Sequence, residues 1–143
     1  SQGRVLALDL GRRRIGLALS DELGITAQGL PTLQRRNKKS DIEALAALIR
    51  QHRVSLVIAG NPLRLSGAES AGTREAAAWV EAIRRRAGVQ VRLWDERLTT
   101  REASHVLRSS GISIAKRARA IDRLSAVLLL QSFLDHRSAG HES

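Results

Sequence analysis

With 143 residues the chain can bury one sizeable core, and having no cysteine excludes disulfide frameworks and thiolate chemistry, which fits a reducing cytosol. The 24 Lys and Arg against 14 Asp and Glu leave a net charge of +10, a surplus that draws polyanions by counterion release and points to nucleic acid. Aromatic residues are limited to Trp79, Trp94 and Phe133, so the core must rest on Leu, Ile, Val and Ala. The same shortage argues against holding single strands by stacked bases and in favour of phosphate contacts.

Residues 5–10 and 15–19 are short apolar runs around a turn that holds Gly11, Arg12, Arg13 and Arg14, the pattern of a hairpin. Alternation puts Leu6, Leu8 and Leu10 on one face and Val5, Ala7 and Asp9 on the other. Both faces are apolar except at Asp9, so the first strand reads as central and covered on both sides. A carboxylate in that setting needs a positive partner, either an arginine of its own turn or a metal ion.

Residues 24–33 alternate weakly and include Pro31, which predicts a third, edge strand before a basic linker over 34–40. Ser40 and Glu43 form a capping box for a helix that buries Ile42, Leu45, Ala46 and Ile49. The unbroken apolar run 56–60 predicts a buried parallel strand, ended by Asn61 and Pro62. A Gly- and Ser-rich loop over 63–72 precedes a helix over 73–87, with Ala76, Val80, Ile83 and Ala87 inward and Gly88 as its stop. Residues 89–94 alternate as a strand, and a second capping box from Thr99 to Glu102 opens a short helix through Leu107. Residues 109–119 read as a mobile basic loop, 120–136 as the last helix and 138–143 as a frayed polar tail. This order predicts a single α/β domain over 1–143: a mixed five-stranded sheet, three strands antiparallel and then parallel, with helices on both faces.

Sites in such sheets gather beyond the carboxyl ends of the parallel strands. Asp9 ends the first strand, Asp95 and Glu96 end the last one, and Asp122 shares a helical stripe with Ala126, Leu129 and Phe133. Clustered carboxylates in a basic protein suit Mg²⁺ or Mn²⁺, hard cations that keep waters and leave room for a phosphate oxygen. A pair of such ions activates water and stabilises the leaving oxygen in phosphodiester hydrolysis. Nothing offers a His or Cys zinc cluster: His52, His105, His136 and His141 are scattered and read as surface residues. Alternation would give Asp95 the face of Val91 and Leu93, and Glu96 that of Arg92 and Trp94, but the strand is expected to end at Trp94, so alternation does not choose the inward acid; Glu96 is taken first and Asp95 second.

Asp9-Leu10-Gly11 with Arg14-Ile15-Gly16, Gly60-Asn61-Pro62-Leu63 with Gly67, Asp95-Glu96-Arg97-Leu98-Thr99-Thr100 with Glu102, and Asp122 in Ile121–Ala126 occur in that order. In these motifs the chain resembles the YqgF/RuvX family over nearly its whole length. That family comprises RuvC-like proteins of the RNase H superfamily, assigned as Holliday junction resolvases or pre-16S rRNA nucleases. The resemblance implies an RNase H-like fold and a site of Asp9, one acid of the Asp95–Glu96 pair, and Asp122, holding two Mg²⁺ or Mn²⁺ ions. Two positions depart from the family's usual wording: Arg12 stands where Thr or Ser is common, and Asn61 where Leu usually precedes the proline.

Arg12, Arg13, Arg14, Arg97, Lys116, Arg117 and Arg119 are the candidate phosphate contacts, although Arg97 equally suits a pair with Asp95 and Arg14 could instead orient Asp9. Thr99 and Thr100 read as helix caps, and Arg84, Arg85 and Arg86 as a solvated helix end. The expected function is metal-dependent phosphodiester hydrolysis in branched DNA or precursor rRNA; the alternative is a non-catalytic nucleic-acid-binding or ribosome-assembly factor on the same fold. A sugar-kinase or actin-like ATPase would need two such domains, for which 143 residues leave no room. With no apolar run near 18 residues and no charged-then-apolar leader, neither a membrane span nor a signal peptide is expected, and the expected place is the cytoplasm. Monomer and homodimer remain open.

Overall fold

The computed structural model describes the backbone of residues 3–11, 13–61, 71–95 and 114–140, and the side chains of 3–11, 13–60, 74–94 and 124–137. Five strands, β1 (Arg4–Leu10), β2 (Arg14–Ser20), β3 (Ala27–Gln34), β4 (Val54–Asn61) and β5 (Gln90–Asp95), form one sheet in the order β3-β2-β1-β4-β5. β1 pairs antiparallel with β2 and parallel with β4, β2 pairs antiparallel with β3, and β4 pairs parallel with β5. This is the mixed sheet the element order predicts. β3 is an edge strand, and its exposed Pro31 withholds an N–H where no further strand pairs.

The alternation along β1 sorts two cores. Leu6 and Leu8, with Leu10 at the margin, join Ile15, Leu17 and Leu19 of β2 and the inward residues of α1 (Lys38–Gln51) and α2 (Ala71–Ala87). Val5 and Ala7 join Ala18, Leu56 and Ile58 under Ala126, Leu129, Leu130, Phe133 and Leu134 of α3 (Ile114–Gly140). The floor beneath α3 is made of small residues, Ala7 opposite Ala18, and Ala18 opposite Gly29, so the bulky side chains of that helix can settle close to the sheet. The expected faces of α1 and α3 are both observed.

The helix boundaries differ from those the sequence predicts. α1 begins at Lys38, and its cap is Asn37, whose side chain accepts from the Ser40 N–H at 2.8 Å; Asp41, the next residue of the expected capping box, is buried and accepts from the Arg36 N–H at 3.1 Å. α2 starts at Ala71, two residues earlier than the pattern suggests. Residues 114–119, expected in a mobile loop, are the first turns of α3, so Lys116, Arg117 and Arg119 are helical, and the helix continues to Gly140 rather than ending at His136. No proline or glycine interrupts 114–139, and alanines at 115, 118 and 120 favour the helix.

The largest surprise in packing is Trp79, 2% exposed at the centre of the α2 face, with the Arg35 guanidinium 5.0 Å from its ring centroid. The sequence reading placed neighbouring Val80 inward instead, and Val80 is only half-buried. Residues 63–70 of the expected loop, the short helix expected after Thr99, residues 109–113, His105 and His141 lie outside the described residues. No helix among the described residues is long and apolar enough to cross a membrane.

Candidate active site

Asp9 occupies the next-to-last position of β1, half-buried, on the face that α3 covers. Its cross-strand partner on β2 is Gly16. On the other side Leu8 pairs with Ala59, so Gly60 stands beside Asp9 in the next row, and Gly60 in turn pairs with Trp94. The carboxylate is thus flanked in its own row by two buried residues that carry no side chain. Side chains of paired strand residues share a face, so this row leaves space next to Asp9 that any other residue type would fill.

The turn behind Asp9 is held from several directions. Gly11 donates its N–H to the Arg14 oxygen at 3.0 Å, and a Cβ on Gly11 would lie 2.6 Å from that oxygen. Close approach of backbone to backbone is therefore the physical reason for glycine two residues after the acid. Arg35 reaches across from the end of β3: its Nη1 donates to the Gly11 oxygen at 2.5 Å, its Nη2 pairs with Glu75 of α2 at 3.1 Å, and its backbone N–H donates to the Arg13 oxygen at 2.9 Å. The sequence reading left Arg35 in a basic linker, and no local signal separates it from its neighbours, because its role depends on where α2 lies.

The last helix is tied to the strands through Gln131. Gln131 accepts from the Ala27 N–H at 3.2 Å, Ala27 pairs with Ser20, and the Ser20 hydroxyl accepts from the Val5 N–H at 2.8 Å, which sets one level across the fold. Asp122 lies nine residues before Gln131 on the same helix. Three residues on, Ser125 is buried, and its Oγ has no hydrogen-bond partner among the described residues.

At the far side of the row, β5 runs to Asp95, whose backbone pairs with Asn61. Trp94 packs with the α3 core and meets the Phe133 ring edge-on at 5.2 Å, whereas Val91 packs with the α1–α2 core. Parity along β5 therefore separates Trp94 from Val91 in the manner the sequence predicts. Two strand spacings, about 10 Å, separate the backbones of Asp9 and Trp94.

Of the predicted phosphate contacts, Arg13 is exposed and Arg14 half-buried at the turn after Asp9, and Lys116, Arg117 and Arg119 are on α3 upstream of Asp122. Arg12, Glu96, Arg97, Thr99 and Thr100 lie outside the described residues. Arg84 and Arg85 pair with Glu81 at 2.7 and 2.9 Å, and Arg86 with Glu43 at 2.6 Å, which bears out their reading as a solvated helix end. These contacts hold the Glu43 and Glu81 carboxyls below their ordinary range, chiefly through the guanidinium hydrogen bonds.

Of the four acids, only Asp9 has a described side chain, and among the described residues no three acidic or histidine side chains gather as a metal group. The donor chemistry does fit a hard divalent cation: the candidates are all carboxylates, which such ions take as oxygen ligands. The Ser125 hydroxyl, orphaned among the described residues one turn from Asp122, adds a buried polar atom on the same helix.

Known proteins agree with this architecture. T. thermophilus RuvC in complex with a Holliday junction substrate superimposes with a TM-score of 0.53 at 16% identity, covering 95% of this chain and 96% of that one. The fowlpox virus Holliday junction resolvase gives 0.58 at 12% identity, covering 93% and 98%. At these identities the likeness is one of fold, and that fold is RNase H-like. In sequence, a Koribacter versatilis protein named as a candidate pre-16S rRNA nuclease is 55% identical over 143 residues, 98% of this chain and 92% of its own length. A Syntrophus aciditrophicus protein of the same name is 43% identical over 132 residues, 92% and 88% of the two chains. A family profile described as RuvX, Holliday junction resolvase, matches residues 3–136. The chain belongs to the RuvX family.

Proposed function

We propose that the chain is a metal-dependent nuclease that hydrolyses phosphodiester bonds in structured nucleic acid, either a branched DNA or precursor rRNA. The observation that carries this reading is the half-buried Asp9 carboxylate near the end of β1, flanked in its row by Gly16 and Gly60 on the face that α3 covers.

Asp9, Glu96 and Asp122 would hold the ions, with Asp95 the second choice for the β5 position. Trp94 packs on the face that carries Asp9, and Asp95 and Glu96 are the two residues that follow it in the chain. When bound, Mg²⁺ or Mn²⁺ supplies a nucleophilic water at neutral pH and a counter-charge for the leaving oxygen. The chain's own part is to keep the Asp9 carboxylate in place, through the Gly11 turn and the Arg35 tie, and to leave the glycine row open for a phosphate. Arg12, Arg13 and Arg14 grip the nucleic-acid backbone beside the acids, with Arg97 alongside. Lys116, Arg117 and Arg119 do so from the first turns of α3, where helical spacing sets Lys116, Arg119 and Asp122 along one side.

The test is cleavage of four-way junction DNA, single-stranded DNA and precursor rRNA with Mg²⁺, Mn²⁺ or chelator. The expected result is cutting of a junction or of precursor rRNA that chelator abolishes. Cutting that persists in chelator contradicts the metal requirement, and salt-sensitive binding without cutting on every substrate contradicts the enzyme.

A further inference from the structure

At the end of the sheet remote from Asp9, a cleft of about 830 Å³ opens between the start of β1, the β2–β3 turn, the α1–β4 turn and the last turns of α3. Three arginines from three separate elements line it, Arg4, Arg53 and Arg137, against one carboxylate, Glu22. Glu22 does not quench them. Its side chain is 81% exposed and, among the described residues, pairs only with Arg4, at 3.6 Å. Among the described residues neither Arg53 nor Arg137 has an ion-pair partner, in contrast to Arg35, Arg84, Arg85 and Arg86, each with a carboxylate at 3.1 Å or less. The Arg137 guanidinium is steadied instead by the Phe133 ring, 5.3 Å from its centroid, which leaves its donors for another acceptor.

Arg53 adds an independent sign. It is the one non-glycine residue with positive φ among the described residues, at 55°, in the position just after the His52 cap of α1. After α2 the positive-φ residue is Gly88, at φ 69°, directly past the helix end. Glycine is the unstrained solution there, and this chain uses it once. Keeping arginine at the other helix end, with its side chain on the cleft, opposes the backbone preference and marks a use for the guanidinium.

We propose that this cleft is a second anion site that binds a phosphate ester through Arg4, Arg53 and Arg137. Phosphate matches converging guanidinium donors, each able to give two parallel hydrogen bonds. One source is the backbone of the nucleic acid engaged at Asp9: five strand residues from Arg4 to Asp9 span about 17 Å, the rise of about five nucleotides along one strand of a duplex. The other source is a free nucleotide. The first source rests on the nuclease reading; the affinity of the cleft for phosphate does not.

The experiment uses the full chain carrying Asp9→Asn, so that binding is read without turnover and failure to cut leaves the result intact. Amide spectra are followed while inorganic phosphate, AMP and a short duplex are added in turn. The variants are Arg53→Gly, Arg53→Gly with Arg137→Gln, and a charge-matched control of Arg84→Gln with Arg85→Gln. Phosphate should move the amides of Gly3, Gly24 and Ser55, and the double variant but not the control should lose those shifts. Arg53→Gly should fold with a raised melting temperature while its binding weakens, a pairing that a purely structural arginine would not give. If nucleic acid is the source, the double variant binds duplex about threefold to tenfold more weakly than the control, and its salt slope falls by about 1 to 2. If a free nucleotide is the source, AMP binding is lost and duplex affinity matches the control. The proposal is overturned if none of the three additions shifts these amides, or if the double variant behaves as the control does for all of them.

Discussion

Two residues after Asp9, the chain has no room for a side chain. A Cβ on Gly11 would meet the Arg14 backbone oxygen at 2.6 Å, a contact with a rigid atom that cannot swing away. Gly11→Ala should therefore cost roughly 1–3 kcal/mol, the usual cost of forced overpacking, read as a lower urea midpoint with an unchanged slope. Wild-type stability in that variant would show that the turn relaxes and that the glycine has another purpose. The residue pattern Asp9-Leu10-Gly11 is thus a piece of backbone sterics as well as of chemistry, because the same close turn fixes where the carboxylate ends. Arg35 is the counterpart that sequence could not single out. It clamps the Gly11 oxygen only because α2 brings Trp79 and Glu75 to it.

Elements show where local signals suffice and where they fail. The period-2 pattern of β1 and the helical stripes of α1 and α3 were legible because one-sided burial imposes them directly on the sequence. The cap of α1 was not: Ser40 with Glu43 satisfies the capping-box pattern, yet Asn37 caps the helix three residues earlier and Asp41 is drawn into the core side. The basic start of α3 reads as a loop from sequence because charge and Ser-Gly composition upstream outweigh a helix-compatible run, and the stripe that fixes α3 to the sheet lies later, at Ala126, Leu129 and Phe133. The β2–β3 turn has a different anchor. The Asp21 carboxylate accepts from the Ile25 N–H at 2.7 Å and the Thr26 N–H at 3.2 Å, and the Ile25 bond foremost holds its carboxyl below the ordinary range. A carboxyl depressed in the folded state contributes stability that is fully present above the unfolded pKa of about 3.9 and is lost as pH falls through the lower folded value. The gap in urea midpoint between the wild type and Asp21→Asn should therefore be widest near neutrality and shrink below about pH 4. A gap that stays constant with pH would assign the effect of the substitution to packing rather than to charge.

For the molecule as a whole, the sheet has two chemically distinct ends. Asp9 lies at the carboxyl end of the parallel strands, where sites in open α/β sheets gather. The arginine cleft lies at the other. The membership of the chain in the RuvX family and its RNase H-like fold bear out the family resemblance carried by the motifs. The most direct measurement is the initial cleavage rate of the preferred substrate in saturating Mn²⁺ for the wild type and for Asp9→Asn, with matched thermal melts to confirm folding. If Asp9 is a metal-holding carboxylate, the variant should be slower by about a hundredfold or more, some 2.7 kcal/mol or more of transition-state stabilisation, while its melting temperature stays within a few degrees of the wild type. A folded Asp9→Asn variant that cuts at the wild-type rate would contradict the assignment of the catalytic site to this end of the sheet.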